Sequence, residues 1–247
     1  MKTAIRKIAG VFGNGGRNRS IETFHSDHYL RHNARRLEHL ASLRIPVSGK
    51  RVLELGAGIG DHTSYYLDRG CQVTITEANP ENIAILGTRY PQQNTIAMDM
   101  ENPAPIEGGP FDIVHCYGLL YHLKDPQRAL EFMGESCVGI LFLETCVSFG
   151  AEQEVNLTAE HRADPTQSFS GTGCRPTRPW IYAQLQERFP YVYCPVTQPN
   201  HEEFPLDWNA PQKHRAPLQR AVFVASKFEI ACDLLKPSLL NIQVRQG

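Results

Sequence analysis

VLELGAGIGDHT, from Val52 to Thr63, is an apolar run that leads into three glycines at alternate positions and then an acid. The apolar run predicts a buried strand. A glycine-rich turn between a strand and a helix is typical of nucleotide sites in open parallel sheets. The turn alone leaves open which nucleotide is bound, and that choice separates hydride, phosphoryl and methyl transfer.

Strands and helices alternate on the C-terminal side of this turn. The predicted strands are Arg51–Leu55, Gln72–Ala78, Asn94–Asp99, Phe111–Tyr117 and Cys137–Thr145, and the predicted helices are Asp61–Arg69, Pro80–Arg89 after an Asn79 N-cap, and one that begins at Asp125-Pro126. Strands joined by helices at this spacing imply parallel β-α-β units with right-handed crossovers. We therefore expect an α/β fold: a Rossmann-like doubly wound sheet, mostly parallel, with helices on both faces.

The flanking segments complete this architecture. Apolar spacing predicts a helix over Glu22–Leu43, and Pro179–Arg188 predicts another. Two late strands, Tyr191–Thr197 and Arg220–Ser226, suit an antiparallel edge of the sheet, whereas Ser148–Gly173 is polar and irregular. The expected organisation is a flexible basic arm (1–20), an N-terminal helix (21–48), a main domain (49–226) with substrate-covering segments near 146–178 and 198–218, and a C-terminal extension (227–247).

Composition excludes several classes of function. The 247 residues are 41% hydrophobic and 21% charged with a net charge of -1, so no overall field favours nucleic acid or a membrane surface. No apolar run approaches the roughly 18 residues of a membrane span. Seven scattered cysteines without a C-x-x-C pair predict reduced thiols in a cytoplasmic protein and argue against structural zinc.

Asp61 decides between the nucleotides. A dinucleotide fingerprint needs a small residue three positions after Gly58, and a carboxylate there would repel a pyrophosphate at the helix N-terminus. No Gly-Lys-Ser/Thr follows, which excludes a P-loop. A nucleotide without phosphates remains, and S-adenosylmethionine, with its ammonium and sulfonium charges, suits the acids Glu54 and Asp61. Glu77, at the end of the second strand, is placed to accept hydrogen bonds from ribose hydroxyls.

Four segments together resemble the successive motifs of class I S-adenosylmethionine-dependent methyltransferases: VLELGAGIG, TITEANPENI, AMDMEN and FDIVHCYGLLYHLKDP. The resemblance spans about Gly49 to Thr145 and implies S-adenosyl-L-methionine as the cofactor. It places Gly56, Gly58 and Gly60 at the methionine end of the cofactor, Glu77 at its ribose, Asp99 with Met100 at its adenine, and Tyr117 beneath its sulfonium.

Two residues are candidates for the chemistry. Methyl transfer needs an aligned acceptor and, where required, removal of its proton. His122, after the fourth strand, is the candidate base, because a histidine exchanges protons near neutral pH. Glu144, at the end of the fifth strand, is the candidate that positions an acceptor hydroxyl or amine. A purely structural role is the alternative for each.

The later segment supplies candidate acceptor contacts. GCRPTRPW places Arg175, Arg178 and Trp180 around a helix start, where arginines form an anion site. The alternative for Arg178 is an ion pair with an acid of the segment 202–207. His201 and Trp208, in NHEEFPLDW, are placed to close over the acceptor. No paired ligands of known spacing accompany His201, so no metal is predicted.

Three functions stay open at this point. The favoured one is methylation of a hydroxyl or amine on a small metabolite, such as a saccharide or a secondary-metabolite intermediate that carries an anionic group. The second is RNA modification, because GLLYHLKDP and LETCV are similar to motifs of tRNA wobble-uridine carboxymethyltransferases, and the basic arm Lys2–Arg19 suits RNA. The third is a non-catalytic binding module. No membrane partner is expected, and the oligomeric state is open.

Overall fold

The computed structural model describes residues 19–161, 166 and 170–247. The expected basic arm therefore lies outside the described residues, except that Arg19 and Ser20 begin the first helix.

The helices and strands alternate as the sequence predicts. The helices are α1 (Arg19–Phe24), α2 (Asp27–Ser42), α3 (Thr63–Leu67), α4 (Pro80–Arg89), α5 (Pro126–Ser136) and α6 (Arg178–Gln186). The strands are β1 (Arg51–Glu54), β2 (Gln72–Glu77), β3 (Asn94–Ala97), β4 (Phe111–Tyr117), β5 (Cys137–Cys146), β6 (Val155–Ala159), β7 (Thr172–Pro176), β8 (Tyr191–Pro195), β9 (Thr197–Gln198), β10 (Arg220–Ser226), β11 (Leu235–Lys236) and β12 (Val244–Arg245).

The main sheet has the order β11-β8-β10-β5-β4-β1-β2-β3. Strands β1 to β5 pair in parallel. Strand β10 lies antiparallel between β5 and β8, and β11 pairs antiparallel with β8. This confirms the mostly parallel sheet with an antiparallel edge. Because β1 lies between β2 and β4, the order of the strands reverses beside it, and ligands bind at such a switch point.

The strands divide the core into two layers. Val52 is fully buried in the cluster on one face of the sheet, and its neighbour Leu53 is fully buried in the cluster on the other. This alternation is the period-2 pattern of a strand that is covered on both faces. Of the helices in the described ranges, none combines the length and apolarity needed to cross a bilayer.

Three local predictions need correction. The helix expected over Glu22–Leu43 is two helices, because Ser26 caps α2 by accepting a hydrogen bond from the amide of Tyr29. Helix α3 begins at Thr63 rather than Asp61. Part of the segment expected to be irregular forms an antiparallel hairpin of β6 and β7. Strand β6 is largely exposed and therefore lacks the apolar signal of a core strand.

Candidate functional site

A pocket opens at the carboxyl ends of β1, β2 and β4. Helix α2 and the start of β10 close its other side, with Asn33, Arg36 and Arg220 in its lining. Seven of the eight residues predicted to contact the cofactor line it: Glu54, Gly56, Gly58, Glu77, Asp99, Met100 and Tyr117. His122 lines it as well.

The turn after β1 needs glycine at two positions, because the backbone there has a positive φ angle and neighbouring side chains leave no room for a Cβ. Gly56 and Gly58 have φ angles of 62° and 58°, the left-handed region that side chains disfavour. A Cβ on Gly56 would lie 2.8 Å from Cδ1 of Leu119, and one on Gly58 would lie 2.8 Å from Cζ of Phe24. The backbone of this turn therefore forms the wall of the pocket.

Gly60 has a different role from the other two glycines. It has a φ of 83°, and its carbonyl accepts a 2.6 Å hydrogen bond from the hydroxyl of Tyr90. A Cβ there would meet Tyr90 and Leu86, at 2.5 and 2.8 Å. Among the described residues that line the pocket, Gly60 is absent. Its place in the glycine pattern thus reflects the packing of α4 against the turn.

Glu77 holds the next turn together. One of its oxygens accepts a 2.7 Å hydrogen bond from the amide of Gly58, and the other accepts from the amides of Ala78 and Asn79, at 2.9 and 2.8 Å. Burial raises the pKa of Glu77, while these amide donors oppose the rise. The carboxylate therefore links β2 to the glycine turn at the wall of the pocket.

Glu54 is a carboxyl group whose charge is poorly stabilised. It is 2% exposed, and burial raises its pKa to about 7, although Thr63 donates a 2.6 Å hydrogen bond to it. Asp61 also lines the pocket but pairs with Arg89, whose guanidinium lies 2.7 Å away. Acidic groups thus concentrate around the glycine turn.

Asp99 and Met100 occupy the turn that follows β3. Asp99 is exposed and accepts a 2.9 Å hydrogen bond from the amide of Glu101, whereas Met100 is 3% exposed. Tyr117, at the end of β4, is buried, and no described residue makes a hydrogen bond to its hydroxyl. The pocket therefore combines an exposed acid, a buried thioether and a buried phenol.

A chain of hydrogen bonds runs under the glycine turn. The hydroxyl of Tyr66 lies 2.9 Å from Nδ1 of His115, and Nε2 of His115 lies 3.1 Å from Nδ1 of His62. If Tyr66 donates, each ring accepts at Nδ1, so Nε2 of His62 carries the proton. Burial lowers the pKa values of both histidines, so the chain is neutral. It is a rigid polar support for the pocket wall.

His122 is oriented by a residue that sequence reasoning missed. Its Nδ1 lies 2.6 Å from Oε2 of Glu160, and Arg175 lies 3.4 Å from the other oxygen of Glu160. Burial lowers the pKa of His122, and the hydrogen bond and charge of Glu160 oppose this. Because a carboxylate can only accept, Nδ1 carries the proton and Nε2 holds the lone pair.

Glu144 lies behind the pocket wall rather than in it. It is fully buried and pairs with Arg36, and Arg220 donates to its other oxygen at 3.1 Å. Burial would raise its pKa, but the charges of Arg36 and Arg220 outweigh that effect and hold it below its usual value. A carboxylate held by two guanidinium groups is a poor proton acceptor, and the predicted contact of Glu144 with an acceptor hydroxyl or amine stays a prediction.

The predicted acceptor contacts lie elsewhere in the described structure. Arg178 donates to the carbonyl of Leu240 at 2.8 Å and lies over the ring of Trp208, 4.0 Å from its centroid. Neither the anion site nor the expected ion pair of Arg178 is present among the described residues. Trp180 packs against the core, Arg175 binds Glu160, and His201 is buried beside His32. Of the described residues that line the pocket, none is Arg175, Arg178, Trp180, His201 or Trp208.

Helix α2 contributes the lining that sequence reasoning overlooked. Its residues His28, His32 and Arg36 are spaced four apart, which places them on one face of the helix. His32 and Arg36 are only 2% and 5% exposed. His28, on the same face, is exposed and is not among the described residues that line the pocket, so the spacing alone does not identify the buried pair.

Comparison with known proteins agrees with this geometry. The model of a methyltransferase domain family matches residues 26–192, more than half of the chain. The chain belongs to this methyltransferase domain family. Its match begins at the N-cap of α2 and ends in β8, so it includes the glycine turn and most of the pocket.

Individual relatives are distant. The chain is 34% identical over 133 residues to the tRNA U34 carboxymethyltransferase of Alcanivorax borkumensis, covering 51% of this chain and 40% of that protein. It is 31% identical over 104 residues to the ubiquinone biosynthesis O-methyltransferase of Xylella fastidiosa, and the match covers 40% of this chain and 42% of that protein. These matches thus span about two fifths of each relative's length.

Solved structures share the fold at low identity. The N-terminal domain of EvdMO1 with SAH bound has a TM-score of 0.60 at 21% identity, covering 81% of this chain and 84% of that one. Magnesium protoporphyrin IX methyltransferase from Synechocystis PCC 6803, with bound SAM, has a TM-score of 0.54 at 13% identity, covering 88% of each chain. Both confirm the fold.

Proposed function

We propose that this chain is an S-adenosyl-L-methionine-dependent methyltransferase whose acceptor is a hydroxyl or amine of a small metabolite. The observation that carries the proposal is one pocket whose lining combines acids and glycine backbone with basic groups. We assign Glu54, Glu77 and the glycine turn to a cofactor end, and Arg36, Arg220 and His122 to an acceptor end. The family match and the SAH- and SAM-bound structural neighbours support this choice of cofactor.

The residues at the first end fit this cofactor. Glu77 is placed to accept from the ribose hydroxyls, Gly56 and Gly58 present backbone to the methionine portion, and Tyr117 lies beside it. Asp99 and Met100 frame the adenine. Acids at this end suit a cationic, phosphate-free ligand. When bound, the sulfonium of the cofactor supplies an activated methyl group.

His122 is the proton acceptor in this proposal. Because Glu160 accepts a hydrogen bond from Nδ1–H, the lone pair of Nε2 is available for the proton of an acceptor hydroxyl or amine. Because burial lowers its pKa, the ring is neutral at physiological pH and ready to accept. Glu144 acts indirectly by fixing Arg36 and Arg220 in the pocket lining.

The acceptor end favours a polar substrate. Arg36, Ser170 and Arg220 give it polar groups that can bind hydroxyls. A saccharide or an oxygenated secondary-metabolite intermediate has the hydroxyl density that such a lining recognises. The sequence match to the ubiquinone biosynthesis O-methyltransferase supports a small acceptor.

RNA modification is the second candidate, because the relative from Alcanivorax borkumensis acts on tRNA U34 by name.

Incubation with methyl-labelled S-adenosylmethionine and cell-extract fractions, with and without nuclease, tests both candidate functions. We expect label in a nuclease-resistant small molecule, formed at least about 10² times more slowly by the His122→Ala variant. Nuclease-sensitive label, with binding that weakens steeply in salt, would establish RNA instead. No label in any fraction would favour a non-catalytic module.

A further inference from the structure

Three histidines and a glutamate meet where α2 packs against the loop after β9. His28 and His32 lie one helical turn apart on the same face of α2. The ring of His201 lies 5.6 Å from that of His28 and 4.7 Å from that of His32, between centroids. Glu203 completes the group, with one oxygen 3.7 Å from His28 and the other 3.9 Å from His32.

Two nitrogens in this group lack hydrogen-bond partners. Nε2 of His32 and Nε2 of His201 are buried, and no described residue makes a hydrogen bond to either. Both residues are 2% exposed, and Glu203 is 3% exposed. Buried polar atoms are nearly always satisfied, so two adjacent exceptions indicate that a ligand completes the group.

We propose that His32, His201 and Glu203 bind a divalent metal ion of the zinc type at the acceptor end of the pocket. Their ligand atoms lie within 4.8 Å of one another, and small side-chain rotations would bring them to the spacing of a tetrahedral site. Two imidazoles and a carboxylate leave a fourth position open. Since His32 also lines the pocket, the ion would lie beside the acceptor.

Metal coordination constrains the tautomers of the two histidines. A metal binds neutral imidazole through the ring nitrogen that carries no proton. At present Nδ1 of His201 accepts a 3.3 Å hydrogen bond from the amide of Glu203, so the ring proton is on Nε2. Coordination through Nε2 would move this proton to Nδ1, so the hydrogen bond from the amide of Glu203 would break and the ring would have to turn away from that amide.

Neighbouring charges decide which residues form the site. Arg220 donates a 2.7 Å hydrogen bond to Glu203, the outer contact that orients a ligating carboxylate. Glu144 pairs with both Arg36 and Arg220, and Arg220 also pairs with Glu203. His28, His201 and Glu202 form a second, outer group, but both oxygens of Glu202 are bound by Arg31. The inner three residues are therefore the stronger site.

Titration of the chelator-treated protein with Zn²⁺ in the absence of cofactor tests this site. We expect one ion per chain, with affinity lower by about tenfold or more in His32→Gln and in His201→Gln. His214→Gln is the matched control, because its ring bonds the carbonyl of Leu218, outside the cluster. Its Zn²⁺ affinity should equal that of the wild type. No Zn²⁺ binding by the wild type, or unchanged affinity in both variants, would overturn the proposal.

Binding of Co²⁺ to the wild-type protein gives a spectroscopic test that does not depend on whether a variant folds. The wild-type complex should show the absorption of cobalt bound by nitrogen and oxygen, without a sulfur charge-transfer band. Sulfur ligation would assign the metal to the cysteines and overturn the proposal. Because neither experiment uses S-adenosylmethionine, failure of the metal site and failure of methyl transfer give separate results.

Discussion

Glu160, on the edge of the β6–β7 hairpin, fixes the ring of His122, with Oε2 of the carboxylate 2.6 Å from Nδ1 of the imidazole. The contact joins residues 38 positions apart and determines which ring nitrogen is protonated. A histidine that acts as a base through Nε2 needs this tautomer. The hairpin is therefore part of the proposed catalytic apparatus and not only a cover.

Glu160→Gln should lower the turnover number by about tenfold, whereas His122→Ala should lower it by about 10² or more. Glu160 raises the pKa of His122, so its loss makes the ring a weaker base and moves the acidic limb of the pH–rate profile to lower pH. The measurement is turnover against pH with the acceptor found by labelling. Long-range proton–nitrogen NMR of the ring should show Nδ1–H in the wild type and a mixture of tautomers in Glu160→Gln.

Glu154→Gln is the control, since Glu154 is exposed beside the same hairpin. An unshifted pH profile in Glu160→Gln, with the tautomer unchanged, would mean that Glu160 does not position the base.

Glu144→Gln should destabilise the protein by about 3–5 kcal/mol, because it leaves the buried guanidinium group of Arg36 without its anion and Arg220 with Glu203 alone. Urea unfolding at neutral pH measures this. Glu107→Gln is the control on the surface and should change the free energy of unfolding by less than about 0.5 kcal/mol.

The same carboxylate should make stability depend on acid pH. Its folded-state pKa lies below the unfolded value of about 4.3, so the stabilisation is complete above that pH. It is lost as the pH falls through the folded-state pKa. Glu144→Gln should lack this part of the slope; an identical slope would remove Glu144 as its source.

The sequence predicts the sheet better than the pocket, for a physical reason. Strand β4 and strand β10 have the predicted bounds, because their apolar residues report burial directly. Arg36 gives no such signal: its charge is the same as that of its half-buried neighbour Arg35, and the partner Glu144, 108 positions away, explains its burial. Arg178 shows the reverse error: an arginine at a helix start suggests an anion site, whereas this guanidinium contacts Leu240 and Trp208 and is not among the described residues that line the pocket.

Glu77→Gln should weaken S-adenosylhomocysteine binding by about tenfold or more. Both oxygens of Glu77 accept from backbone amides, so either orientation of the glutamine turns an N–H toward another N–H. The glycine turn and the proposed ribose contact are both disturbed. Isothermal calorimetry gives the affinity, with Glu107→Gln as the control. Equal affinity of Glu77→Gln and the wild type would refute the assignment of Glu77 to the cofactor.

S-adenosylmethionine binding should release a proton from Glu54. With a pKa of about 7, this carboxyl is about half protonated at neutral pH, and a cationic ligand nearby favours the carboxylate. Calorimetry at pH 7 in buffers of different ionisation enthalpy should therefore detect release of about half a proton per site, decreasing as the pH rises past 8. Burial also raises the pKa of Glu77, so Glu77 can release a proton in the same way when the cofactor binds. The variant Glu54→Gln therefore isolates the contribution of Glu54. That variant should bind with much less proton release, whereas an unchanged proton count would show that Glu54 keeps its protonation state when the cofactor binds.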